Sequence, residues 1–212
     1  FVSVGHDEYW SRKMLEETIR ARDDGLSIAF FSGNSVYWEI EFYDSSITGA
    51  PCRAFSRKQN FQDEDTLMGV KSYGPGYGDW VITNPDHWIY NDTGLNTGDK
   101  LPGIIGWEYH GTPAKIDGLE VVASSRLDGC IREKISEGPA EENQIHHGII
   151  YPCDKGNWVF NAGTIWWPEG LSNPPGHIPA RGHCGGTFGV LGPVQKITSN
   201  ILNKMIEDSP RA

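Results

Sequence analysis

Two short apolar runs separated by one amphipathic stretch constrain this chain more than anything else in it. Val2-Ser3-Val4 is rich in β-branched residues and stops at Gly5. The stretch Ser11–Arg22 places Met14, Leu15, Thr18 and Ile19 on one helical face, and Arg12, Lys13, Glu16, Glu17 and Arg20 on the other. Gly25 follows the last turn and suits a left-handed cap. Leu26–Phe31 is a second apolar run, ended by Ser32-Gly33-Asn34. Strand, helix and strand joined by such short loops make a β-α-β unit, with a right-handed crossover and parallel strands. The segments after the two strands then leave the sheet at one edge. Gly5–Tyr9 and Ser32–Tyr37 are therefore expected to be neighbours in space.

That edge is chemically dense. His6, Asp7, Glu8, Tyr9 and Trp10 follow Gly5 with no spacer, and strand-to-helix turns are where α/β proteins place their chemistry. Adjacent side chains fan apart, so His6, Asp7 and Glu8 do not all reach one point. Asp7 and Glu8 either face a site or sit at the start of the helix, where the dipole favours negative charge. Asn34 and Tyr37 come from the second strand end. Tyr9 and Tyr37 are either site residues or buried tyrosines with satisfied hydroxyls.

Three further groups carry ionisable residues. In Trp107-Glu108-Tyr109-His110-Gly111, Glu108 closes an apolar run and is expected near a strand end, where a carboxylate binds a hard metal, acts as a base or faces solvent. In Asp86-His87-Trp88, His87 is either structural or part of a site. His146 and His147 share a strand and point to opposite faces, which makes a poor two-ligand site. His177, His183 and Cys184 lie in a Gly/Pro-rich stretch that can collect a metal. The acidic run Asp63-Glu64-Asp65 is read as a solvated turn.

Beyond Tyr37 the helical period fades. Trp38–Tyr43 alternates apolar and acidic residues and reads as an exposed strand; Gly49 to Gly78 reads mostly as loop. Strands are expected at Trp80–Ile82, Ile104–Tyr109 and Leu119–Ser124, with a paired set at Gln144–Tyr151 and Trp158–Ala162. A last helix spans about Pro193–Ile206, with Val194, Ile197, Ile201, Leu202 and Met205 on one face. The whole of 1–212 is read as one α/β domain with an irregular β-rich insertion.

The net charge of -10 argues against nucleic acid as a partner, because phosphate binding rests on Lys and Arg. No apolar run is long enough to span a membrane. The four cysteines, Cys52, Cys130, Cys153 and Cys184, form no C-x-x-C pair, so zinc of the usual spacing is not expected. There is no P-loop, no G-x-G-x-x-G and no G-x-S-x-G. Residue 1 is Phe and the chain opens in a strand, so an N-terminal part is expected to be missing. No compartment is legible.

Taken in order, these motifs resemble the C-terminal domain of the N,N-dimethylformamidase large (beta) subunit family. The resemblance runs through Gly5-His6-Asp7-Glu8-Tyr9-Trp10-Ser11 and Gly33-Asn34-Ser35-Val36-Tyr37-Trp38, then Asp86-His87-Trp88 leading to Thr93-Gly94-Leu95 and Gly98-Asp99. It continues through Gly106-Trp107-Glu108, Ala162-Gly163-Thr164-Ile165 with Gly170-Leu171, and the last helix. It implies a glutamine-amidotransferase-like (flavodoxin-like) parallel-sheet fold. It also implies hydrolysis of a formamide-type C–N bond by mononuclear iron held by two tyrosines and a glutamate. Tyr37 and Glu108 are the matching positions, with Tyr9 as the second phenolate. His6, Asn34 and His87 would then orient water or the ligands, and a second subunit or second copy is an expected partner.

The leading expectation is thus a metal-dependent hydrolase of a small amide. The alternative is a non-catalytic binding or structural domain on the same fold, with its eight Trp and long loops forming a surface for a carbohydrate-like ligand. A third reading is a metal-free hydrolase with His6 or Glu8 as base and no covalent nucleophile.

Overall fold

The computed structural model describes residues 1–74, 76–106, 108–127, 145–176 and 189–208. The β-α-β unit forms as its periodicity dictates. β1 (Val2–His6) and β3 (Ile28–Gly33) run parallel, with Val2 level with Ala29 and His6 level with Gly33. Between them lie a short β2 (Tyr9–Ser11) and α1 (Arg12–Asp23). Ser11 caps α1, its hydroxyl accepting the Met14 amide at 3.2 Å, which satisfies one of the orphan donors of a helix start. The packed stripe is narrower than the sequence suggests: Leu15 is fully buried and Ile19 joins the core, but Met14 faces solvent.

β3 lies inside a five-stranded sheet of order β1-β3-β12-β11-β10, built with β10 (Glu120–Arg126), β11 (Ile145–Pro152) and β12 (Trp158–Asn161). β12 runs parallel to β3, whereas β11 is antiparallel to both of its neighbours. The remaining strands form three small sheets. β2 joins β4 (Trp38–Tyr43) and β5 (Ala54–Asn60); β6 (Val70–Tyr73) pairs with β9 (Tyr109–Pro113); β7 (Gly78–Val81) pairs with β8 (Lys100–Ile105).

This overturns the expected flavodoxin-like, glutamine-amidotransferase-like parallel sheet. The structure is β-rich with mixed sheets, is 22% helical, and has three α-helices among the described residues. The physical reason lies in the connections. A parallel pair needs a long crossover, usually a helix; among the described residues α1 is the only long helix between strands, and β12 reaches its parallel place beside β3 through the small sheets instead. The later helices are the single turn α2 (Asp65–Met68) and α3 (Gly192–Glu207), which follows the last strand. Most later strands pair antiparallel instead.

Two local expectations also change. The stretch read as loop between Gly49 and Gly78 holds β5, α2 and β6, and Glu64 of its acidic run is buried rather than solvated. The run Ile104–Tyr109 is not one strand: β8 ends at Ile105 and β9 begins at Tyr109, in different sheets.

The central sheet is covered on both faces. On one, Leu15 of α1 packs with Ile28, Phe30 and Val159, and with Leu67 and Met68. On the other, Val194, Ile197 and Ile201 of α3 pack with Ala29, Phe31 and Phe160 around Trp80 and Trp167. Trp10 and Val36 carry the first of these clusters past the ends of β1 and β3.

Candidate functional site

The two strand ends leave the sheet together and stay together. Past His6 and Gly33 their backbones are bridged: the Val36 amide donates to Asp7 O at 3.0 Å, and the Tyr37 and Trp38 amides donate to Glu8 O at 3.1 and 2.8 Å. β2 and β4 then continue side by side, parallel, with Tyr9 level with Trp38. The expected adjacency of Gly5–Tyr9 and Ser32–Tyr37 is therefore real. It rests on main-chain hydrogen bonds.

The turn between β3 and β4 is backbone-strained. Asn34 and Val36 have φ of 46° and 53°. Asn tolerates this left-handed region; a β-branched residue rarely adopts it and does so only where its surroundings impose it. Val36 is fully buried, and the hydroxyls of Ser32 and Ser35 bond at 2.7 Å.

Glu108 enters from the connection between β8 and β9. Gly33 admits it: a Cβ at residue 33 would stand 2.7 Å from Glu108 O and 2.5 Å from Ile165 N. Gly74 leaves room for its side chain, since a Cβ there would lie 2.8 Å from Glu108 Cγ. The carboxylate thus comes to rest beside His6. Its buried Oε2 pairs with His6 Nε2 at 2.7 Å, a hydrogen-bonded ion pair. Glu8 Oε2 lies 3.6 Å from the same nitrogen and Asn34 Nδ2 lies 3.2 Å from it. The contact with Glu108 raises the pKa of His6 above its ordinary value; partial burial opposes this, and the charges of Glu108, Glu8 and Asp7 add to the rise. The two carboxylates in reach thus favour the protonated form of this imidazole.

His6, Asn34 and Glu108 are thus brought together, with Glu8 beside them. Tyr9 borders the group: its phenol donates to the Glu8 carboxylate, which raises its pKa above the usual value, and it feels the charge of Glu108. Tyr37 is half-buried, its ring edge-on to Trp38 at 5.5 Å. Its main chain is tied to Glu8, while its hydroxyl makes no hydrogen bond among the described residues. His87 stands apart. Its Nδ1 accepts the Ile89 amide at 3.4 Å, its ring meets Trp88 at 5.3 Å, and Glu120 lies 4.0 Å away. Burial lowers its pKa, as suits a neutral helix-turn cap. None of the other candidates is among its contacts.

Among the described residues no three His, Cys, Asp or Glu side chains form a metal cluster. His177, His183 and Cys184 lie outside the described residues, as does Trp107. Cys52 and Cys153 are free thiols. The sequence reading gave no role to His110, Ser35 and Asn161, which buttress the strained turn from below. The signal available was the placement of His110 two residues after Glu108.

A β-rich scaffold thus brings a histidine, two carboxylates and an amide together at its strand ends, groups able to exchange protons. The family comparison is specific. The chain belongs to the N,N-dimethylformamidase beta subunit-like, C-terminal family, whose model matches residues 1–180. No curated protein matches the chain.

Proposed function

We propose that this edge hydrolyses the C–N bond of a small amide. The observation that carries the reading is the convergence of two carboxylates on one imidazole: Glu108 Oε2 stands 2.7 Å and Glu8 Oε2 3.6 Å from His6 Nε2, with Asn34 Nδ2 at 3.2 Å. Charged groups gathered around a histidine with a shifted pKa support a reading as an acid–base site. In the reaction water adds to the amide carbonyl carbon and gives up a proton to Glu8, while His6 delivers the proton at Nε2 to the departing amine as the C–N bond breaks. Asn34 Nδ2 then donates to the bare Nε2 and steadies the neutral ring. Glu8 also holds the Tyr9 phenol, and its charge helps to raise the pKa of His6.

In chemistry the donor set fits the mononuclear iron that the resemblance implies: Glu108, Tyr9 and Tyr37 supply hard oxygen ligands, and Tyr9 lies within the field of Glu108. Glu108, Tyr9 and Tyr37 would hold the metal, and Tyr9 would surrender the proton it shares with Glu8. When bound, iron would polarise the amide carbonyl and acidify a water. Partners remain a proposal: the family description names a beta subunit, which supports assembly with a second subunit or a second copy.

A second reading, a non-catalytic domain for carbohydrate, draws support from Phe42, Tyr43 and Phe55, exposed on β4 and β5, and from the Tyr9 ring 5.5 Å from Phe55. Elemental analysis and the visible spectrum of the natively purified full-length protein separate the two, together with a screen of formamides. Stoichiometric iron, a tyrosinate-to-iron band, and loss of both band and hydrolysis in Tyr37→Phe and Glu108→Ala support the hydrolase. Metal-free protein, with hydrolysis absent or indifferent to both changes, rejects it.

A further inference from the structure

His110 is completely buried, and its protonation pattern is fixed by two backbone groups that cannot change role. The Ser35 amide donates to His110 Nε2 at 3.1 Å, so that nitrogen carries no hydrogen. The other ring nitrogen, Nδ1, lies 2.8 Å from Asn161 Oδ1. That atom must be the amide oxygen, because it also accepts the Gly163 amide at 2.9 Å, while Asn161 Nδ2 donates to Met68 O at 3.2 Å. Hence Nδ1 carries the hydrogen and His110 is the neutral Nδ1–H tautomer.

The recipient of this arrangement is the strained turn. Ser35 sits between Asn34 and Val36, the two left-handed residues. Each of its polar groups is engaged: N–H on His110, carbonyl on the Ser72 hydroxyl at 2.9 Å, and hydroxyl on Ser32 at 2.7 Å. The Ser32 hydroxyl continues to Ser3 at 2.8 Å, and Ser3 donates to Asp7 at 2.7 Å. A left-handed Val is retained only if its neighbours over-determine it. The Ser35 N–H would be an orphan buried donor without His110.

We propose that His110 is a positioning residue: as a neutral acceptor for the Ser35 amide it holds the left-handed turn that sets Asn34 against His6. Its effect on catalysis rests on the hydrolase reading above; its effect on the turn does not.

Two substitutions split the imidazole. His110→Gln keeps an acceptor near the Nε2 position and loses the Nδ1 donor. His110→Asn keeps a donor near Nδ1 and loses the acceptor. In the full chain, His110→Asn should speed exchange of the Ser35 amide roughly ten- to hundredfold. It should also shift the His6 ring resonances toward those of an Asn34→Ala variant, and lower kcat on N,N-dimethylformamide more than it raises KM. His110→Gln should stay near the parent in each, even where the two variants lose similar thermal stability. Equal effects of the two variants on Ser35 exchange and on His6 overturn the proposal. If either variant fails to fold, the unmodified protein decides: ¹⁵N spectra should show the Nδ1–H tautomer and a coupling across the Ser35 N–H···Nε2 bond. An Nε2–H tautomer, or a rapidly exchanging Ser35 amide, overturns it. The NMR split without any amide hydrolysis keeps the positioning role and rejects the hydrolase reading.

Discussion

The tryptophan-rich face of the central sheet and the open ends of β1 and β3 are built on opposite terms. On the tryptophan face the polar atoms of the large rings are matched. Trp80 Nε1 donates to Tyr90 at 3.0 Å, the Tyr90 hydroxyl donates to Val122 O at 2.7 Å, and Trp167 Nε1 donates to Thr198 at 2.9 Å. At the strand ends Val36 is left-handed, and two carboxylates crowd one imidazole, Glu108 Oε2 at 2.7 Å and Glu8 Oε2 at 3.6 Å. One region gives stability through packing and, His146 Nδ1 apart, through satisfied hydrogen bonds at its rings. The other carries strain that the first has to offset, as expected of regions specialised for stability and for chemistry.

Substitutions on the two sides can break this contrast. The largest stability loss is expected at Trp80→Ala, which empties a fully buried position against Trp167, Phe160 and His146. A loss of about 3–5 kcal/mol in denaturant unfolding is expected; a loss below about 1 kcal/mol would mean that this face does not carry the fold.

Acid should act next, and through the same face. His146 is wholly buried against Trp80, and burial lowers its pKa from 6.5 to about 3. The unfolded chain therefore binds this proton first as pH falls. The contribution of neutral His146 is complete above about pH 6.5 and is lost progressively toward pH 3. Melting temperatures across that window should fall less steeply in His146→Gln. Parallel curves would show that burial of the ring is not felt.

A smaller effect is expected at Tyr90→Phe, which leaves the Trp80 N–H without its partner and should cost about 1–3 kcal/mol in the same unfolding assay. The smallest lies at the strand ends. Glu108→Gln removes one charge of a partly exposed ion pair with His6, so stability should fall by about 1 kcal/mol or less, while amide hydrolysis is lost. A severe loss of stability there would mark Glu108 as structural.

The legible part of the molecule is the part with local periodicity. α1, the parallel pairing of β1 with β3, and the β11–β12 hairpin follow from apolar spacing and short loops. His6, Asn34 and Glu108 were visible because they end apolar runs. β5 was not visible, since Ala54–Asn60 is almost entirely exposed and pairs only with β4, leaving no alternation to read. The fold class failed for a related reason. One clear β-α-β unit at the start of the chain implied more of the same, although most of the later strands pair antiparallel. The support beneath the site was hidden as well: Ser35, His110 and Asn161 are far apart in sequence, and a buried polar residue leaves no periodic trace.

Gly33 makes room for the main chain of Glu108 and Gly74 for its side chain, each by lacking a Cβ. The frame thus accommodates the backbone and the side chain of residue 108 at two separate glycines. Architecture and reactivity are separable at this position, so a library that varies residue 108 while keeping Gly33 and Gly74 samples new chemistries on an unchanged frame. The same separation gives natural variation a route to change the reaction without relearning the fold.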